Sequence, residues 1–192
     1  MKNDRRKKIL GAAERLVAHY GIAKTTISDI AREARCGVGT VYLEFTSKDD
    51  IVGRLARGRH TAILDAMRNA TAEHDHFDAQ FRAMMDARVR AFIEIAGDGA
   101  HAADLVHCGG CEAVKLEFVG FDQAQRQILA EFLQEATGAG VFCLEDSVAM
   151  ANTILRAYAT FTPPILYTQT FSNLFGELDL IHDLILQGLK AR

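Results

Sequence analysis

The stretch Thr25–Lys48, TTISDIAREARCGVGTVYLEFTSK, decides the fold. Thr25 or Thr26 supplies a side-chain oxygen of the kind that caps a helix start. Ile27, Ile30 and Ala31 follow at helical spacing, which predicts a short helix over about residues 27–34. Arg35-Cys36-Gly37 reads as a tight turn, and a second short helix is expected over roughly residues 38–45, with Val41 and Phe45 inward. Ser47-Lys48-Asp49-Asp50 then sets a cap with an acid three places on, so another helix opens there and runs to about residue 69. Two short helices around a tight turn make a helix-turn-helix unit, whose second helix can enter the major groove of DNA.

The signature has a helical context on both sides. Upstream, Ile9, Ala12, Ala13, Leu16, Val17 and Tyr20 recur at helical spacing, and Gly21 ends that run. Downstream, residues 77–95 carry Phe81, Met84, Met85, Val89, Phe92 and Ile93 in register, and Gly97-Asp98-Gly99 closes them. A short segment at 101–108 leads to a long amphipathic run over 112–137. A helix over about 145–161 is broken by Pro163-Pro164, and a broad apolar helix is expected over 171–189. No stretch alternates as a strand does and no internal repeat occurs, so the fold is all-α. The helix-turn-helix signature fades near residue 54, which places a boundary between residues 1–53 and residues 54–192.

Charge divides along the same line. Residues 1–60 carry 13 Lys/Arg against 7 Asp/Glu, and the remaining residues carry 9 against 18. A basic head suits a phosphate backbone and an acidic body does not. No apolar run approaches the 18 residues or so of a membrane span, and MKNDRRKKIL has no apolar h-region behind it. Four scattered cysteines are too few for a disulfide scaffold in a chain of 192 residues. The expectation is a cytoplasmic protein with no membrane partner.

Within the head, the outward residues of the second short helix are Gly37, Val38, Thr40, Tyr42 and Leu43. Thr40 offers a hydroxyl for a phosphate or base edge and a methyl for thymine. Tyr42 either sends its hydroxyl to a phosphate or packs its ring on the turn. Val38 and Leu43 suit apolar contact in the groove. Lys48 adds a cation at a helix start that already favours anions. Thr25 and Thr26 stand at the matching position of the other helix, where Thr26 is equally well read as a cap. Arg5, Arg6, Lys7 and Lys8 read as a mobile basic arm against DNA or as a solvated tail.

These residues resemble the N-terminal domain of the TetR family of bacterial transcriptional repressors. The resemblance rests on Ile9-Leu10-Gly11-Ala12-Ala13, Leu16, Gly21, Thr25-Thr26, Ile30-Ala31, Ala34, Gly39-Thr40-Val41-Tyr42, Phe45 and Ser47-Lys48, over about residues 6–53. It implies a three-helix DNA-binding domain followed by a larger helical effector-binding and dimerisation domain, about nine helices in all. It also implies a homodimer on a double-stranded operator with an inverted repeat, released by a small-molecule effector, with residues 39–42 in the recognition helix and Lys48 on a phosphate. The family usually has glycine where Arg35 stands and valine where Cys36 stands. Arg35 takes a left-handed conformation only at a cost of about 1–2 kcal/mol, unless Gly37 reshapes the turn. Gly37 and Val38 replace residues that more often reach DNA, so sequence preference leans on Arg35, Thr40 and DNA shape.

The C-terminal part is less informative. Phe81, Met84, Met85, Phe92, Phe118, Phe121 and Phe161 are candidates to line an adaptable pocket for a hydrophobic or planar effector. They serve equally as ordinary core. Arg88, Arg90 and Arg156 could meet an acidic ligand or lie on the surface. The apolar breadth of the last helix suggests a dimer interface through Leu174, Leu178, Ile181 and Ile185. The cluster His101, His107, Cys108 and Cys111 has three readings: a soft-metal site, a reversible disulfide or a turn with two plain thiols. A metal- or redox-responsive repressor is therefore the alternative to a ligand-responsive one. No phosphate loop, dinucleotide fingerprint or nucleophile elbow is present, so no cofactor and no enzyme is expected; an enzyme with an incidental helix-turn-helix is the remote alternative.

Overall fold

Helical periodicity with caps at the expected places produces nine α-helices and two short 3-10 turns among the described residues, 2–190, of a computed structural model. They are α1 (Lys2–Tyr20), α2 (Ile27–Glu33), α3 (Val38–Glu44), α4 (Lys48–Thr71), α5 (Phe77–Gly97), α6 (Glu112–Gly138), α7 (Ser147–Ala157), α8 (Ile165–Thr168) and α9 (Leu174–Leu189). The fold is all-α, and the one β-like feature among these residues is an isolated bridge between Phe142 and Lys190. No helix here is long and apolar enough to cross a membrane.

The chain divides into two units, residues 1–61 with 93–119, and residues 62–92 with 120–192. The junction expected near residue 54 lies inside α4, and the first unit takes in a segment from much further along. In that unit, Ile9, Ala13 and Val17 of α1 close over Ile30, Ala31, Val41, Phe45, Ile51 and Val52. Leu105, Cys111 and Val114 join the same core. Each large aliphatic or aromatic side chain buried this way stabilises the fold by about 1.5–3 kcal/mol.

Polar contacts explain why residues 93–119 belong there. Arg59 bridges Glu14 at 2.9 Å and Asp98 at 2.6 Å. Arg57 grips Glu117 through Nε at 2.9 Å and Nη2 at 2.7 Å, which holds the Glu117 carboxyl below its usual range. The His101 amide donates to the Ala18 carbonyl at 2.9 Å. Gly99 makes this approach feasible, because a Cβ there would meet the same carbonyl oxygen at 2.7 Å.

The second unit has an aromatic core. Phe81, Phe132, Phe142, Tyr158 and Phe161 are buried, with Phe77 and Phe132 edge to face at 5.8 Å. The Tyr158 hydroxyl meets His182 Nδ1, and His182 Nε2 meets Asp86 Oδ1 at 3.1 Å. Burial pushes the Tyr158 phenol far above its ordinary value, so this tyrosine acts as a neutral hydrogen-bonding group. Asp146 caps α7 through the Ala149 amide at 2.9 Å, and Asn173 caps α9 through the Gly176 amide at 3.1 Å.

Candidate nucleic-acid interface

The helix-turn-helix is built from local signals that the structure resolves one by one. Thr26 is the cap of α2: its hydroxyl accepts the Asp29 amide, and the Asp29 carboxylate accepts the Thr26 amide, a reciprocal capping box. That carboxylate lies below the usual range, chiefly because the Thr26 hydroxyl donates to it. At the other end of α2 the Arg35 amide donates to the Arg32 carbonyl at 3.1 Å, and the Cys36 amide to the Ala31 carbonyl at 2.9 Å. This 5→2 and 6→1 pair is a Schellman motif, which places Arg35 at the position glycine usually holds. Arg35 indeed has a φ of 55°. The turn keeps the family geometry and bears the strain, rather than being reshaped around Gly37.

Helix α3 then projects from a fixed base. Val41 is fully buried and Phe45 nearly so, while Val38, Tyr42 and Leu43 are exposed at 41%, 56% and 77%. Gly37 and Gly39 are also exposed, and Thr40 is half-buried. Three large apolar side chains facing outward on one short helix make a contact surface rather than a solvated one. Lys48, half-buried, donates to the Ile22 carbonyl at 3.0 Å, which fixes the ammonium beside the turn after α1 with two donors left.

Two sequence expectations need correction. Thr25 is 2% exposed and donates to the Gly21 carbonyl at 2.8 Å, so it holds the α1–α2 turn and is turned away from any groove. The basic residues 5–8 are part of α1 instead of a mobile arm. Arg6 donates to the Glu44 carbonyl at 3.2 Å and lies over the Phe45 ring at 5.2 Å. Glu44 joins this contact. Its side chain is buried, with Arg5 and Arg6 nitrogens at 3.9 Å. Its place beside Val41 and Phe45 on the inward face was the sequence signal for this clasp.

The pattern has relatives. Residues 9–55 match the family model for bacterial regulatory proteins of the tetR family. Residues 9–55 are thus a TetR-type N-terminal domain. The HTH-type transcriptional repressor KstR2 of Rhodococcus jostii is 31% identical over 106 residues, 55% of this chain and 50% of that protein. The uncharacterised regulator YvdT of Bacillus subtilis is 34% identical over 80 residues, 42% of this chain and 39% of its own length. The matched segments thus span half or less of these relatives. The solved structure of FadR from Bacillus subtilis with stearoyl-CoA shares the fold over 95% of this chain and 98% of that one, with a TM-score of 0.71 and 21% identity. The family is one of regulators and not of enzymes.

Outside the matched segment, the other candidates are placed as follows. Phe81, Met84, Met85, Arg88, Phe92, Phe121 and Phe161 are buried in the second unit. Phe118 lies in the first unit, edge-on to His60 at 6.1 Å and to His107 at 5.3 Å. Arg88 is fully buried, whereas Arg90 and Arg156 are exposed. On α9, Leu178 is 0% exposed and belongs to the core; the outward residues are Leu180 at 70% and Leu184 at 71%. Leu174, Ile181 and Ile185 are half-buried. Leu178 alone of the four expected interface residues is taken into the core, because a broad apolar helix has two apolar faces and only packing tells them apart.

No group of three or more His, Cys, Asp or Glu side chains able to hold an ion occurs among the described residues. His101 Nδ1 faces Asp104 at 3.4 Å, with its ring against Gly21. His107 packs on Phe118, and Cys111 is part of the first unit's apolar core with Cys108 packed against it. All four cysteines are free.

Proposed function

We propose that the protein is a ligand-responsive transcriptional repressor that binds an inverted-repeat operator as a symmetric homodimer. The observation that carries this reading is α3. It displays Val38, Gly39, Tyr42 and Leu43 on a base fixed by Val41 and Phe45, inside the matched segment 9–55. Tyr42 and Lys48 hold phosphates, while Thr40 and Arg35 contribute to base preference. Exposed Leu180 and Leu184 on α9, with Val148 on α7 at 60% exposure, supply the dimer contact. Two copies related by a two-fold axis would set their α3 helices about one helical turn apart on the duplex. The aromatic and methionine-rich second unit takes a small apolar effector. In support, a protein of the same fold was solved with stearoyl-CoA. Release requires only an affinity difference of about 1–3 kcal/mol between DNA-competent and DNA-incompetent states.

The test is selection of a binding sequence from random duplexes, followed by fluorescence anisotropy at several salt concentrations. Replacing Lys48 by Ala weakens binding to all duplexes alike and lowers the salt slope by about one. Replacing Thr40 by Ala narrows the gap between selected and random DNA. A selection that enriches no inverted repeat, or a K48A variant with an unchanged slope, refutes the assignment.

A further inference from the structure

Arg88, in the second unit, is one of the largest fully buried side chains of the protein, at 1% exposure. Its Nε donates to Gln125 Oε1 at 2.9 Å and its Nη2 to Thr162 Oγ1 at 2.9 Å. Its Cζ sits 4.9 Å over the centre of the Phe92 ring. Both hydrogen-bond partners are neutral. Each is also oriented by a further bond: the Gln125 amide donates to Asp122 Oδ1 at 3.1 Å, and the Thr162 hydroxyl donates to the Tyr158 carbonyl at 3.0 Å. The oxygens facing Arg88 are therefore fixed as acceptors.

The charge of this guanidinium is not matched. Asp122 is the acid whose field reaches it, but that carboxylate is held by Arg126, through Nε at 3.1 Å and also through Nη2. Arg88, Arg126 and Asp122 together carry one excess positive charge. Burial lowers the Arg88 pKa to about 10, so the cation persists at neutral pH. Nη1 is buried and has no hydrogen-bond partner among the described residues. Buried cations are normally paired and buried donors normally satisfied. A guanidinium that two acceptors orient while one donor edge stays empty is prepared for an acceptor from outside the chain.

We propose that Arg88 is the anchor for the carboxylate of a small, monoanionic and otherwise apolar effector, with Nη1 donating to it. Gln125 and Thr162 are positioning residues that aim the guanidinium. One carboxylate cancels the single excess charge and takes up Nη1, the one guanidinium nitrogen without a hydrogen-bond partner among the described residues. A phosphate dianion would overshoot the charge. The body of the ligand meets the apolar side chains of the same unit, where Phe92 and Phe121 lie edge to face at 6.2 Å and the Tyr158 and Phe161 rings are tilted against each other at 6.2 Å. This rests on the reading that the second unit receives the effector.

The experiment is calorimetric titration of the full chain, without DNA, with octanoate, decanoate and 4-phenylbutyrate, each beside its alcohol. At least one acid binds tenfold or more tighter than its alcohol. Arg88→Gln abolishes that preference, and Thr162→Val and Arg88→Lys reduce it several-fold. Should Arg88→Gln not fold by circular dichroism, the other two variants decide. Equal affinity of acids and alcohols, binding of no acid below millimolar concentration, or a preference untouched by the variants overturns the proposal. DNA binding is measured separately on the ligand-free protein. Its failure removes the repressor reading and leaves the carboxylate result standing.

Discussion

Replacing Arg35 by Gly stabilises the protein and weakens its hold on DNA, a separation that few interface substitutions give. Arg35 closes the Schellman motif of α2 with a φ of 55°. A residue with a Cβ pays about 1–2 kcal/mol for that conformation, and glycine pays nothing there. Glycine returns about 0.4–1 kcal/mol through its greater freedom in the unfolded chain. The net gain lies within about 0–1.6 kcal/mol and centres at ~0.8 kcal/mol. In a chain of this size that corresponds to a rise in Tm of about 1–4 °C. The arginine side chain is exposed, so little packing is lost on its removal. The assay is urea denaturation, in which the midpoint rises at constant m. Arg35→Ala is the control: it removes the same charge but keeps the Cβ and the strain. Both variants weaken DNA binding alike, because each loses one cation from the basic face, and only the glycine variant gains stability. If the glycine variant is no more stable than the alanine variant, the strain argument is wrong.

Further outcomes follow from the packing. Leu180→Glu with Leu184→Glu yields a folded monomer in sedimentation velocity, whereas Leu178→Glu unfolds the chain because that side chain is wholly buried; a dimer persisting in the double variant would exclude this face. Gly99→Ala destabilises by about 1–3 kcal/mol, since its Cβ would stand 2.7 Å from the Ala18 oxygen, and an unchanged denaturation midpoint would contradict that contact. Acidification lowers stability in two stages. Burial depresses the His60 imidazole, so the unfolded chain takes up that proton first, and stability falls as pH drops from about 6.5 towards the lowered folded value. Glu117, held below 4.5 mainly by the hydrogen bond from Arg57, contributes stability that is full above its ordinary pKa and lost as pH falls through the depressed one. His60→Gln flattens the first stage and Glu117→Gln the second in denaturation midpoints followed against pH; a wild-type profile level from pH 7 to 5 would refute the first.

What the sequence determined by itself is whatever rests on neighbours along the chain. A threonine cap at the start of α2, a tight turn at Arg35-Cys36-Gly37, the outward side of α3 and the helical register of nearly every element were legible, because caps, turns and periodicity act within one or two helical turns. Tertiary structure decided which of two apolar faces is inside. Leu178 and Leu180 differ little as residues, and only the elements packed on α9 send one into the core and the other outward. It decided the fate of the polar groups as well. Thr25 has the chemistry of a phosphate donor until its hydroxyl is found on the Gly21 carbonyl. Arg88 resembles any surface arginine until α5 carries it into an aromatic core beside Gln125 and Thr162, residues 37 and 74 positions away. Burial of a charge is set by long-range packing, to which no local pattern is sensitive, and the residues that await a partner are found through it.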